Sequence, residues 1–176
     1  GGWAGHVYLQ LRPIPALDLV VESCRSTVPN SHAITSLHIS LTRPFYLQEH
    51  QIASFVSALQ RQMATLDTSS LVVAFGGASI YQNDKQSRSF VALDVDLGAD
   101  RIRRLLELVD AVMVRFNKPT FYADPRFHAS IVWADRGAAD GVPADTGRLG
   151  DMARGLPGIQ VDRLVCVVGD KEYAIA

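Results

Sequence analysis

Two short segments of this 176-residue chain share one form, Leu37-His38-Ile39-Ser40-Leu41 and Phe127-His128-Ala129-Ser130-Ile131. Each runs apolar, histidine, variable, serine, apolar, and they lie about half the chain apart. In a β-strand, side chains two positions apart leave the same face. His38 and Ser40 therefore project together, as do His128 and Ser130, while Ile39 and Ala129 turn to the core. If both strands face one cleft, it holds two imidazoles and two hydroxyls. Such a set can cleave an RNA phosphodiester without a metal ion. A neutral imidazole takes the proton of a ribose 2′-hydroxyl, and an imidazolium protonates the departing 5′ oxygen. The hydroxyls hold the non-bridging phosphate oxygens as charge builds on them. Histidine suits both proton transfers because its ordinary pKa is about 6.5. One His-x-Ser is weak as a sign; two in strand patterns with apolar flanks say more. The competing reading is a pair of half-buried structural histidines with hydrogen-bonded serines.

The elements that must carry these motifs are legible from periodicity. Alternation predicts strands over His6–Leu11, Ser36–Leu41, Ser89–Val95 and Phe127–Trp133. Leu71–Phe75 reads as a further strand that Ser79–Gln82 continues. Gly76-Gly77 between them signals a bulge or a close backbone approach. Helical spacing predicts helices over Ala16–Thr27, Gln48–Leu66 and Ala99–Phe116, the last with Ile102, Leu105, Leu106, Val109, Val112 and Met113 on its buried side. Asp135–Gly158 is rich in Gly, Asp and Pro and reads as a long loop with one short helix near Leu149–Arg154. Val161–Val168 and Glu172–Ile175 close the chain as a hairpin over Gly169-Asp170. The result is two strand–helix–strand halves, each with one His-x-Ser motif, as a pseudo-twofold single domain would leave them.

Composition narrows the classes. The chain is 48% hydrophobic and 20% charged, which is ordinary for a globular domain able to bury a core. A net charge of -1 argues against coating long duplexes by bulk electrostatics and leaves room for gripping one strand end with a few cations. Cys24 and Cys166 match no metal-ligand spacing and read as buried apolar residues. No apolar run is long enough to span a bilayer. No signal peptide is seen, and the start at Gly1 is read as that of a trimmed piece whose N-terminal tail is missing. Phosphate-loop, dinucleotide and nucleophile-elbow patterns are absent.

Four stretches carry a family resemblance: Gly2-Trp3-Ala4-Gly5-His6-Val7-Tyr8; Leu37 to Pro44 with Glu49-His50-Gln51-Ile52; Tyr81-Gln82-Asn83 with Arg88 to Val95; and Phe116-Asn117 with Thr120 to Ser130. The Phe-Tyr-x-Asp-Pro-x-Phe-His-x-Ser run at Phe121–Ser130 is the most specific. The chain resembles the two-histidine (2H) phosphoesterase superfamily and, within it, the U6 small nuclear RNA phosphodiesterase family. The resemblance runs from Gly2 to Trp133 and is weak after Asp135. It implies an α+β fold of two lobes, an antiparallel sheet in each, outer helices and a central cleft. It further implies a 3′-to-5′ exoribonuclease of the nucleus that trims the uridine or adenosine tail of U6 small nuclear RNA by transesterification. The product would be a 2′,3′-cyclic phosphate or, after ring opening, a 3′ phosphate. Matching positions make His38 and His128 the acid–base pair, taken here as His38 acid and His128 base. Ser40 and Ser130 become phosphate ligands, and Tyr122 the aromatic that stacks on the terminal base. No metal, other cofactor, membrane or second subunit is implied; the partner is the single-stranded 3′ end of the RNA.

Arg43, Pro125 and Arg126 lie near the histidine strands and are candidate RNA contacts. Lys85, Arg88 and Lys118 read as solvated surface, and so do Arg101, Arg103 and Arg104 at a helix start. His6 reads as a structural residue in an edge strand, His50 as an exposed helix residue, and His32 has no argued role. Asp94 and Asp96 read as a polar strand face, since no third ligand with suitable spacing makes them a metal site. Two alternatives remain open. One is a related phosphodiesterase acting on 2′,3′-cyclic phosphates of tRNA or small nucleotides, and the other is a catalytically silent RNA-end binder.

Overall fold

The computed structural model describes residues 2–135 and 145–176. Strand β1 (Trp3–Leu11) shows the alternation that governs the sheet: Val7, Leu9 and Leu11 are buried, while His6, Tyr8 and Gln10 stand half-buried on the other face. The strand begins earlier than its apolar pattern predicts because Trp3–Gly5 pair with β4 (Phe45–Leu47). Gly5 has no side chain for a steric reason, since a Cβ there would stand 2.4 Å from the Phe45 ring.

Helix α1 (Pro15–Thr27) opens with proline in its first turn, where no N–H is needed. Short strands β2 (His32–Ala33) and β3 (His38–Ser40) follow. Helix α2 (Glu49–Gln62) starts where the Gln51 side chain accepts the Gln48 N–H at 2.9 Å, and it stops short of the predicted Leu66. The predicted Leu71–Phe75 strand is two elements, β5 (Val72–Val73) and the start of β6 (Phe75–Gln82), because the backbone of Ala74 bonds to Asp96 and Leu97 instead. Strand β6 forms a hairpin with β7 (Arg88–Val95), and the expected irregularity is present between Phe75 and Gly77. Helix α3 (Ala99–Arg115) buries the six predicted side chains and is preceded by Gly98 at φ 94°, a left-handed conformation that favours glycine. Then come β8 (His128–Asp135), α4 (Thr146–Arg154), β9 (Ile159–Val168) and β10 (Lys171–Ala174). The predicted short helix near Leu149–Arg154 is thus α4, and Gly150 lets it approach β6 so closely that an added Cβ would stand 3.4 Å from the Gly77 Cα. Residues 136–144 of the predicted loop lie outside the described residues.

The strands form one antiparallel sheet in the order β10-β9-β1-β3-β8-β7-β6, with β2 on β8, β4 on β1 and β5 on β9. The expected α+β class is found. The half-sheets β10-β9-β1-β3 and β8-β7-β6 meet at one paired position, Ile39 opposite Ala129, whereas β7 and β8 pair from Arg88–Asp135 to Asp94–His128. β1 is an interior strand between β9 and β3, which corrects the reading of His6 as an edge residue. A single hydrophobic cluster joins sheet and helices through Leu9, Ile39, Phe55, Leu59, Ile102 and Ile131. Fully burying each such side chain stabilises the fold by about 1.5–3 kcal/mol. Cys24 and Cys166 are free and buried in this core.

Candidate active site

The seam between the half-sheets brings the two motifs together. With Ile39 opposite Ala129 in antiparallel pairing, His38 comes to lie across from Ser130 and Ser40 across from His128. Ile39 and Ala129 are fully buried, so the four polar side chains share the opposite, accessible face. Directly opposed positions hold their Cβ atoms roughly 5 Å apart and diagonal ones are separated by about 7–8 Å. The histidines occupy one diagonal of this square and the serines the other.

Both imidazoles are oriented in the same manner. His38 Nδ1 lies 3.3 Å from the Ser36 carbonyl oxygen and His128 Nδ1 lies 2.7 Å from that of Arg126. A carbonyl only accepts, so Nδ1 carries the proton in each ring, and Nε2 is left for chemistry. Desolvation pulls both histidines below the usual imidazole range, opposed in each by the bond to the backbone carbonyl. The charge of His128 lowers His38 further, as expected for rings close enough to feel one another.

The surroundings of the two rings differ. Asp94 on β7 is opposite His128, and its charge raises the affinity of His128 for a proton, while the charge of Arg126 lowers it. Asp94 accepts from Ser79 Oγ at 2.5 Å and from Tyr81 Oη at 2.7 Å. The Tyr81 ring stacks on His128 with centroids 3.9 Å apart and 10° between planes. His38 has no carboxylate neighbour of this kind among the described residues. It meets Tyr8 at 4.6 Å and the edge of His6 at 5.5 Å, both from β1. His6 Nε2 lies 2.9 Å from Ser40 Oγ. Burial, then the charge of His38, push the His6 pKa down to about 4.

A family model described as HVSL, an uncharacterised conserved protein, matches residues 1–175. The chain belongs to the HVSL family. The protein named U6 snRNA phosphodiesterase 1 from Homo sapiens is 33% identical over 137 residues, covering 76% of this chain and 51% of the human protein. That of Mus musculus is 31% identical over 140 residues, with the same coverage. The chain thus spans about half the length of the curated relatives it matches. In fold it resembles Kluyveromyces marxianus Usb1, with a TM-score of 0.69 and 18% identity over 98% of this chain and 97% of that one. The same protein solved with uridine monophosphate gives a TM-score of 0.70 at the same identity and coverage. The resemblance read from the four sequence stretches is thereby supported.

The other candidate residues of this HVSL chain make contacts of their own. Tyr122 is exposed, its hydroxyl donates to Asp84 Oδ1 at 3.1 Å, and the Arg43 guanidinium lies 4.1 Å from its ring centre. Arg43 Nε is buried without a hydrogen-bond partner among the described residues. Arg126 is exposed beside the site, 5.3 Å from the Tyr81 ring centre and 3.5 Å from Ser79 Oγ. Pro125 is buried, so it shapes the loop entering β8 and offers little surface to RNA, a correction to its reading as a contact. Arg101 bonds Ser70 Oγ at 2.9 Å, away from the square. His50 is exposed, and His32 stacks on Trp133 at 4.3 Å. Three site residues were not legible as such from sequence: His6, Tyr81 and Asp94. The available signal was strand alternation, because His6, Tyr8 and Gln10 are polar at every second place of an otherwise apolar strand.

Proposed function

We propose that this chain is a metal-independent RNA phosphodiesterase that shortens the 3′ tail of U6 small nuclear RNA, acting in the nucleus as a monomer. The observation that carries the reading is the cross-seam register, which gives two Nδ1-anchored imidazoles on one diagonal and two serine hydroxyls on the other. The names of the human and mouse relatives support RNA, and U6 in particular, as the substrate. One histidine removes the proton of the penultimate 2′-hydroxyl. That oxygen attacks the adjacent phosphorus, the bond to the 5′ oxygen of the last nucleoside breaks, and the second histidine protonates the departing oxygen. Ser40 and Ser130 donate to the non-bridging oxygens, and Tyr122 stacks on the leaving base. The shortened RNA ends in a 2′,3′-cyclic phosphate or, after water opens the ring with the histidines' roles exchanged, in a 3′ phosphate.

The neighbours of the two rings favour one assignment of roles. His128 faces Asp94, whose charge favours the protonated ring against the opposing charge of Arg126, and it serves as acid. His38, in uncharged surroundings and repelled by a protonated His128, is the better base. This reverses the order taken from sequence.

The test is chromatography of products from a short oligouridine-tailed RNA incubated in EDTA, with the new 3′ end identified. Progressive shortening with release of nucleosides is expected, with a matched RNA lacking the penultimate 2′-hydroxyl left intact. A strict divalent-metal requirement, or rapid trimming of the deoxy substrate, refutes the mechanism. Ring opening without shortening points to the cyclic phosphodiesterase instead. Retained function in His128→Ala points to a binder.

A further inference from the structure

We propose that His6 is a positioning residue that sets the direction of the Ser40 hydroxyl proton, so that Ser40 can donate it to the phosphate. The inference rests on the reading of Ser40 as a phosphate ligand. Ser40 Oγ has one proton to give, and an anionic phosphate oxygen can only accept. His6 Nε2 is 2.9 Å away, within hydrogen-bond range. If Ser40 donated to His6, its lone pairs would face the phosphate and repel it. If His6 donates through Nε2–H, it occupies a lone pair of Ser40 and leaves the hydroxyl proton free to turn to the substrate. The second arrangement is the productive one, and the fold is built to hold the ring there. His6 sits on interior strand β1, whose register places Tyr8 opposite Ser40, so His6 reaches Ser40 on the diagonal. Its ring is walled by Tyr8 at 5.2 Å and His38 at 5.5 Å. Among the described residues Ser130 has no counterpart of this contact. The two serines, alike in sequence, therefore differ in how their protons are directed.

A double-mutant cycle tests the proposal, with kcat and KM measured on an oligouridine-tailed RNA. Ser40→Ala removes the donor to a charged oxygen and is expected to lower kcat about tenfold to a hundredfold. His6→Phe keeps a ring of similar size without a donor and is expected to lower kcat severalfold with KM nearly unchanged. His6→Gln retains an N–H donor at a similar reach and is expected to recover most of the loss. In the Ser40→Ala background, His6→Phe is expected to add nothing, because the group it directs is gone. A loss from His6→Phe that multiplies with that of Ser40→Ala overturns the inference and leaves the Ser40 reading standing. Full activity in Ser40→Ala overturns the Ser40 reading, and the inference with it. If His6→Phe does not fold, judged by its thermal melt, His6→Leu carries the same cycle. If neither folds, His6→Gln and His6→Asn decide it: equal losses from both, multiplying with that of Ser40→Ala, overturn the inference.

Discussion

His6 should make this protein acid-labile in a way that one substitution removes. Its folded-state pKa is pushed down to about 4 by burial and by the charge of His38, against an ordinary value of 6.5. The unfolded chain therefore takes up a proton at this position before the folded one does. The contribution is fully present above pH 6.5 and is lost progressively as pH falls toward 4. At 1.36 kcal/mol per pKa unit the full loss is about 3 kcal/mol, and about 2 kcal/mol of it has gone by pH 5. These are upper figures, because the residue is half-buried and solvent screens part of the penalty. Urea denaturation of the parent and His6→Gln at pH 8 and pH 5 measures the effect. Between the two pH values the parent should lose up to about 2 kcal/mol more stability than the variant. His38 and His128, also lowered by desolvation, contribute to both proteins, so their titration largely cancels in the difference. Equal losses in parent and variant would refute the claim that His6 is held neutral against the His38 edge.

Asp94→Asn removes the charge that helps His128 keep a proton, so the alkaline limb of the kcat/KM–pH profile should move to lower pH with the acid limb almost fixed. Movement of the acid limb instead would make His128 the base. His38→Ala and His128→Ala should each lower kcat by roughly a hundredfold to ten-thousandfold at constant stability, as single-turnover rates and melting curves would show. Tyr122→Ala should raise KM for a uridine-tailed RNA about fivefold or more, the loss of one base stack, while Tyr122→Phe keeps the ring and stays close to the parent. Gly5→Ala places a methyl 2.4 Å from Phe45 and should cost about 1–3 kcal/mol in a denaturant titration, since the ring is packed in the core.

The square of two histidines and two serines was readable because a strand's period of two is strict: once His-x-Ser appears twice with apolar flanks, the shared face follows. The long helices were readable for a similar reason, as α3 shows with all six predicted apolar positions buried. Partners across strands were not. That Asp94 faces His128 depends on the β7–β8 register, which includes a shift between Val91 and Ala92 that no local pattern in β7 announces. The His6–Ser40 bond likewise depends on β1 lying between β9 and β3, a choice of neighbour made by the whole sheet. Pro125 was misjudged because nearness in sequence to His128 says nothing of whether its ring faces inward.

A repeat that supplies two equal histidines meets a chemical difficulty, since the proposed reaction requires them in opposite protonation states. The motifs themselves supply only sameness: each ring is anchored through Nδ1 to the carbonyl two residues before it. The difference comes from the strand on the outer side of each motif. For β3 that strand is β1, which brings His6 and Tyr8, neither of them anionic at neutral pH. For β8 it is β7, which brings Asp94. Asp94 favours the protonated His128 across a single strand spacing and the Arg126 charge opposes it, and in a partly desolvated site charges at that range are worth far more than in bulk water. In the proposed mechanism the polarity of the site therefore resides in residues that lie outside the repeated motif. It should be possible to invert it by moving the charge from β7 to β1 without altering either His-x-Ser sequence.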